Sequence, residues 1–427
     1  MSSPIIPVKI CDGAEGCYIE NNRFKNTRIS LNILLPLTHE TVSKNAILPF
    51  LLRRACREFP DFQALNARLA ELYGAYLAAD AVKLGDIQVL RLVISALDDR
   101  FALEKEEIGK ECASLLCSLV FDPPFINGSF NEDDFKSEQR LFIERIEGEI
   151  NDKRRYAVSR CESIMCADEP FGITKYGSLE SAKMLTSKDV FDAWKNALQS
   201  AHFRINIVGK TNPTPIFDRF GKAFSELKRD IPKKLENSVI RKAGKLKEVV
   251  ERLDISQGKL CIGFRAGTAA PDINTTAARV MVDMFGGGPY SKLFLNVREK
   301  LSLCYYCAAR YNMRKGLILV DSGVEFENRE KALSEILNQL DLLKKGDFSE
   351  DDLNASKISL INTAKTISDS ASDLDIWYLD RFFSENPESP NDFAEEVSKI
   401  SREDVISAAS KVSIDTVYSL LGLEETK

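Results

Sequence analysis

The stretch KLCIGFR, Lys259–Arg265, alternates in the way of a half-buried strand, and RISLNILL, Arg28–Leu35, does the same about 230 residues earlier. A fixed offset between like segments marks a repeated unit, so the neighbours of each stretch decide whether the chain holds two copies of one fold. After each strand come a polar loop and an apolar helix, Ala46–Cys56 in one half and Ala277–Phe285 in the other. A second helix follows, Phe62–Leu72 against Ser291–Leu301. It runs into Tyr73-Gly-Ala-Tyr76 or Leu303-Cys-Tyr-Tyr306, and then into an alternating strand, Ile87–Ser95 against Leu317–Val324. Both halves also close alike. Thr186 and Ser401 each stand three residues before an acid, Asp189 and Asp404, a helix start that satisfies free backbone donors. Each closing helix leads to a short strand ending in glycine, Ile205–Gly209 and Val417–Gly422.

The pattern predicts an α+β fold of two homologous domains, each a mainly antiparallel sheet covered by helices. The expected boundaries are 1–212 and 252–427, with 213–251 between them as a linker rich in Lys, Pro and polar residues. Its RKAGKLK run, Arg241–Lys247, reads as a solvated face, with a polybasic surface as the alternative. Two units joined in this way are expected to leave a cleft between them.

Whole-chain properties agree with a two-domain globular protein. The 427 residues exceed one compact core, and 44% are hydrophobic and 29% charged. A formal charge of −6, spread without long single-sign blocks, argues against a nucleic-acid platform. The start MSSPIIPVKICDGAEG lacks a basic region followed by a long apolar run, and no apolar stretch reaches ~18 residues. A cytoplasmic location away from membranes is therefore expected. Ten cysteines are too sparse for a disulfide scaffold and read as small buried hydrophobes. In the single CxxC, Cys304 and Cys307, strand geometry is expected to point the thiols to opposite faces, away from a shared metal or an easy disulfide.

With the repeat, QGKLCIGFR at Gln257–Arg265 and GGGPYSKLF at Gly286–Phe294, followed by Arg298-Glu-Lys and Leu303-Cys-Tyr, the chain resembles the insulinase and pitrilysin family of inverted zincin peptidases and their non-peptidase relatives. It is similar within that family to a bacterial subgroup associated with elongation factor P modification. The resemblance implies a peptide-enclosing chamber between two halves. One half would carry a His-x-x-Glu-His zinc motif on a helix, with a distal Glu as third ligand. The other would supply an Arg and a Tyr seven residues apart that hold the substrate and its developing oxyanion.

Only the second half of that chemistry is present. The two histidines, His39 and His202, lie 163 positions apart, so neither zinc motif can form, and both read as structural. In the helix where the motif belongs, Pro49, Leu52 and Arg53 stand at the His, Glu and His positions. An apolar side chain cannot activate water, and a guanidinium has no lone pair for a metal. The seven-residue step from Glu138 to the distal ligand lands on Arg145, and Glu144, Glu147 and Glu149 read as exposed helix charges. No cofactor is expected in this chain; zinc is expected only in a partner.

Arg298 and Tyr305 keep the seven-residue spacing of the substrate-holding pair. A guanidinium donates several fixed hydrogen bonds and a phenol donates one, which suits peptide carbonyls and an oxyanion. The alternative makes Arg298 an exposed helix charge and Tyr305 a strand residue with its ring in the core. The triple glycine at 286–288 lacks the spacing of a phosphate loop and reads as a tight connection between two helices. Pro289 and Ser291 would open the second helix, with Leu293, Phe294, Val297 and Leu301 as its buried stripe and Arg298 at the stripe's edge.

Two functional readings follow. In one, the chain is a metal-free, catalytically incomplete subunit of a heterodimeric peptidase, inactive alone, lending Arg298 and Tyr305 to a sister chain with His-x-x-Glu-His. In the other, it is a non-hydrolytic peptide-binding or assembly protein. Either has a peptide or small protein as its ligand, and homodimerisation stays open.

Overall fold

The computed structural model describes residues 5–382, 384 and 387–423. All the expected strands form. One sheet has six strands in the order β1 (Ile5–Cys11), β2 (Ala14–Glu20), β6 (His202–Gly209), β3 (Asn26–Pro36), β5 (Ile87–Leu97) and β4 (Tyr76–Lys83). The other has five, in the order β7 (Lys247–Arg252), β11 (Ser413–Leu421), β8 (Gly258–Arg265), β10 (Leu317–Val324) and β9 (Cys304–Asn312). Five positions match between the sheets: β2 and β6 pair parallel, as do β7 and β11, and the remaining pairs are antiparallel. Only β1 has no counterpart.

The segment 213–251 is less of a linker than its composition implies. Thr214–Ser225 is a helix that buries Ile216, Phe217, Phe220, Ala223 and Phe224, a helical stripe punctuated by charges. Lys247–Arg252 is β7, whose KEVVER sequence never buries a residue because it lies at a sheet edge. An edge strand with one exposed face needs no apolar alternation, so its sequence hides it.

Contacts divide the chain into two units. The first holds Met1–Glu147, Ile173–Glu236 and Ile367–Pro387; the second holds Gly148–Gly172, Asn237–Thr366 and Glu388–Lys427. Each unit thus includes a short segment from the other sequence repeat, and that segment covers the second face of its sheet.

In the first unit, Ile29, Leu31, Ile33 and Leu35 of β3 join the main core with helices of their own repeat. The opposite face of the strand carries Arg28, Ser30 and Asn32, and receives the helix Ala371–Asp380. Asp375 of that helix is fully buried and accepts from Ser30 at 2.6 Å, Asn206 at 3.0 Å, Arg28 at 3.0 Å and Arg91 at 2.7 Å. Four donors satisfy both oxygens, as a buried carboxylate requires.

In the second unit the helix Lys153–Met165 lies on β8 and β11, packing Ala157 and Cys161 against Cys261, Tyr418 and Leu420. A side chain at Gly263 would meet Met165 Sδ at 2.6 Å, so the methionine packs directly over this glycine. Just past the helix, Glu169 ion-pairs with Arg265 at 2.7 Å and Lys315 at 2.9 Å, and Asp415 takes the other edge of Arg265 at 2.8 Å.

Candidate functional site

The helix that would carry a metal motif, Val42–Leu52, is buried on almost every side, which is why its sequence shows no amphipathic period. Pro49 sits inside it and Leu52 is wholly buried. The helix stops four residues short of the expected Cys56, with Arg53 as its C-cap donating its backbone N–H to Pro49 O at 3.1 Å. Pro49 itself brings no N–H and no side-chain donor atom.

Arg54 and Arg53 behave differently. Arg54 pairs with Asp134 and with the buried Glu138, both at 2.9 Å. Arg53 has no acidic partner among the described residues; its Cζ lies 5.9 Å from the Phe50 ring centroid. Arg145, near the end of the helix Glu132–Glu147, comes to the same ring, with Cζ 4.0 Å from the centroid. Its Nη1 is buried and has no hydrogen-bond partner. Neighbouring carboxylates are taken: Glu144 pairs with Arg140 at 2.9 Å and Glu147 lies 3.6 Å from Lys183. Both are exposed, whereas Glu149 is half-buried in a short turn of helix, Gly148–Asn151.

The four positions therefore do not fit zinc. Proline and leucine offer no ligand atom, and two cations would repel the ion. Among the described residues no group of three or more His, Cys, Asp or Glu side chains could hold a metal. His39 is exposed, and His202 opens β6 with Nε2 2.9 Å from Lys233 O.

In the second unit, Thr275–Gly286 ends in the glycine run and packs on β9. A Cβ at Gly286 would lie 2.5 Å from the Ala309 backbone N, so the glycine permits this contact. The next helix, Leu293–Lys300, is a π-helix whose end is closed by Leu301 N–H donating to Asn296 O at 3.1 Å. The wider turn changes the stripe: Leu293 and Val297 are buried, Phe294 is half-buried, and Leu301 is exposed where a buried residue was expected. Arg298 lies partly exposed with its Cζ 4.5 Å over the Phe294 ring and Nη1 3.6 Å from Glu299.

Tyr305 is 57% exposed, which excludes the core alternative. The cause is a bulge. Val324 of β10 pairs with Cys304 and Gly323 with Tyr306, so Tyr305 is an extra residue opposite neither. Its hydroxyl donates to Glu325, whose hydrogen bond and charge push the phenol up.

The same bulge corrects the expectation for the CxxC. Skipping one residue returns Cys304 to the face of Cys307, whose partners on β10, Val324 and Ser322, stand two residues apart. Hydrogen bonding from Cys307 draws the Cys304 thiol below its ordinary range despite burial, helped by Ser322 and the nearby Arg298 charge. Cys307 is pushed well up, by its hydrogen bond to Cys304 and by burial. No residue type in the sequence announces the bulge; only the pairing partner on β10 does.

Residues 184–360 match the family model described as Peptidase M16 inactive domain. A Bacillus subtilis (strain 168) protein described as "Probable inactive metalloprotease YmfF" is 31% identical over 412 residues, 96% of each chain. An "Uncharacterized zinc protease" of Rickettsia felis is 21% identical over 313 residues, 69% of this chain and 72% of that one. Among solved structures, a conserved protein from Enterococcus faecalis V583 superposes with a TM-score of 0.91 at 23% identity, covering 99% of this chain and 100% of that one. The peptidase M16 inactive domain from Pseudomonas fluorescens does so with a TM-score of 0.79 at 16% identity, covering 99% of both chains. Full-length similarity at this level, with the match to the inactive-domain model, places the chain in the M16, or insulinase and pitrilysin, peptidase family as an inactive member.

Proposed function

We propose that this protein is the metal-free subunit of a heterodimeric zinc peptidase, binding peptide substrate and supplying Arg298 and Tyr305 to a sister chain that carries His-x-x-Glu-His. The observation that supports this most is the state of the pair itself. In a chain that carries Pro49, Leu52, Arg53 and Arg145 where the family would carry its ligands, both Arg298 and Tyr305 lie at the surface, Tyr305 by a bulge in β9. Arg298 would grip substrate carbonyls, and Tyr305 would exchange Glu325 for the oxyanion. The proposed setting is cytoplasmic, and no described helix is long and apolar enough to cross a membrane.

The test is reconstitution. Alone, the protein should hold no stoichiometric zinc and cleave nothing; mixed with its sister chain it should give chelator-sensitive cleavage. Arg298→Ala should lower that cleavage about 100-fold, the loss typical of an oxyanion or carbonyl donor. A sister chain fully active alone, and indifferent to Arg298→Ala in this chain, ends the proposal. The second reading, a non-hydrolytic peptide- or protein-binding assembly subunit, draws on Glu325, which already occupies the Tyr305 hydroxyl. It requires a stable complex without turnover.

A further inference from the structure

We propose that the former metal position of the first unit is a carboxylate-binding site, with the guanidiniums of Arg53 and Arg145 as donors and the C-terminal carboxylate of a peptide as ligand. Two guanidiniums meet at one aromatic ring, Phe50, with Cζ atoms 5.9 and 4.0 Å from its centroid. Neither is neutralised by an acid among the described residues, although Arg54 and Arg140 beside them both are. Arg145 Nη1 is buried without an acceptor, which is costly for a charged donor unless a ligand supplies one.

The chemistry of the donors fixes how the site can be used. Phe50 packs on Phe142, with ring centroids 6.4 Å apart, and Phe142 on Tyr176 at 5.5 Å. A guanidinium presents an edge of parallel N–H groups, which is complementary to a planar carboxylate. The pair carries the same charge as a zinc ion but offers hydrogens in place of empty orbitals. It can hold an anion that already exists and cannot polarise a neutral carbonyl.

The surroundings select a monoanion. Arg53 caps the C-terminal end of one helix and Arg145 lies in the last turn of another, where the negative end of the helix dipole costs a dianion such as phosphate more than a monoanion. Beside the Tyr176 end of this aromatic cluster are Lys175, with Nζ 4.3 Å from the ring, and Asp80, which accepts from the Tyr176 hydroxyl at 3.1 Å. They lie 3.9 Å apart and offset each other.

The experiment is a thermal-shift titration of the full chain, without any partner, so its outcome is separate from that of the heterodimer reading. The probes are N-acetyl-phenylalanine, its amide, N-acetyl-aspartate α-amide and inorganic phosphate. N-acetyl-phenylalanine should raise the midpoint, and the other three should bind at least about tenfold more weakly. Arg145→Met and Arg53→Gln should each weaken the response about tenfold or more, while Arg140→Gln leaves it unchanged. Arg145→Met should also keep or raise the midpoint of the unliganded chain, because it removes a buried donor without an acceptor. The proposal is overturned by any of three results: no shift with the acid, equal shifts with acid and amide, or phosphate binding as tightly as the acid. A response that survives both arginine variants also overturns it.

Discussion

The two units share five strand positions yet end the first helix after the equivalent strands β3 and β8 in opposite ways. In the first unit that helix, Val42–Leu52, runs into Arg53 and Arg54; in the second, Thr275–Gly286 runs into a glycine run pressed against β9. One end gathers charge and the other removes side chains altogether. What the units do share is how each borrowed segment is fastened: it brings a carboxylate to cations of the sheet. Asp375 meets Arg28 and Arg91 in the first unit, and Glu169 meets Arg265 and Lys315 in the second. The balance differs, since Asp415 joins the second cluster, whereas among the described residues no second acid pairs with Arg28 or Arg91. Fold is thus maintained by the same device twice, while the surface chemistry of the copies has diverged.

The most severe way to break this comparison is to remove the fastening acids. Asp375→Ala and Glu169→Ala should each cost on the order of 3–5 kcal/mol, because each strands buried cations. Hydrogen exchange should show protection lost in the first sheet for Asp375→Ala and in the second for Glu169→Ala. If both variants loosen the same sheet, the two clusters are not equivalent. Next in size, Gly286→Ala should cost about 1–3 kcal/mol by forcing the Thr275–Gly286 helix off β9, read as a lower denaturant midpoint.

A chemical prediction sharpens the contrast further. Cys304 is the one thiol of the ten drawn below its ordinary range, while Cys11, the other partly exposed one, is pushed up by burial. Alkylation followed by peptide mapping should therefore label Cys304 first, and its rate should persist toward lower pH than that of a free thiol. Arg298→Ala should move that rate profile upward in pH, since the Arg298 charge helps to stabilise the thiolate. Smallest of all, Tyr305→Phe should change stability by no more than about 0.5 kcal/mol, because the ring is exposed. A larger loss would make Tyr305 structural and remove it from the substrate-holding pair.

The parts legible in the sequence are those whose burial follows a simple period. Strands β3, β5, β8 and β10 alternate or run apolar because they are covered, and the capping boxes at Thr186 and Ser401 form as written. The chemistry of Pro49, Leu52, Arg53 and Arg145 is likewise plain from the sequence, since none of these side chains offers a metal a lone pair. What escaped depends on a neighbour. Strand β7 is defined by β11 and the sheet edge, the bulge at Tyr305 by its register with β10, and the loss of Leu301 from the stripe by π-helical winding. The convergence of Arg53 and Arg145 needs two helices and one ring, a meeting that no spacing along the chain encodes.

The borrowed helix Ala371–Asp380 has a consequence for how the chain comes into being. While the polypeptide is being synthesised, β3 and β5 are made early, but Asp375, the acid that neutralises their arginines, is not made until most of the second repeat exists. The first sheet emerges with Arg28 and Arg91 unmatched and one face open, and waits for the last part of the chain to close it. The nascent protein therefore carries an unfinished first unit until Asp375 has been made.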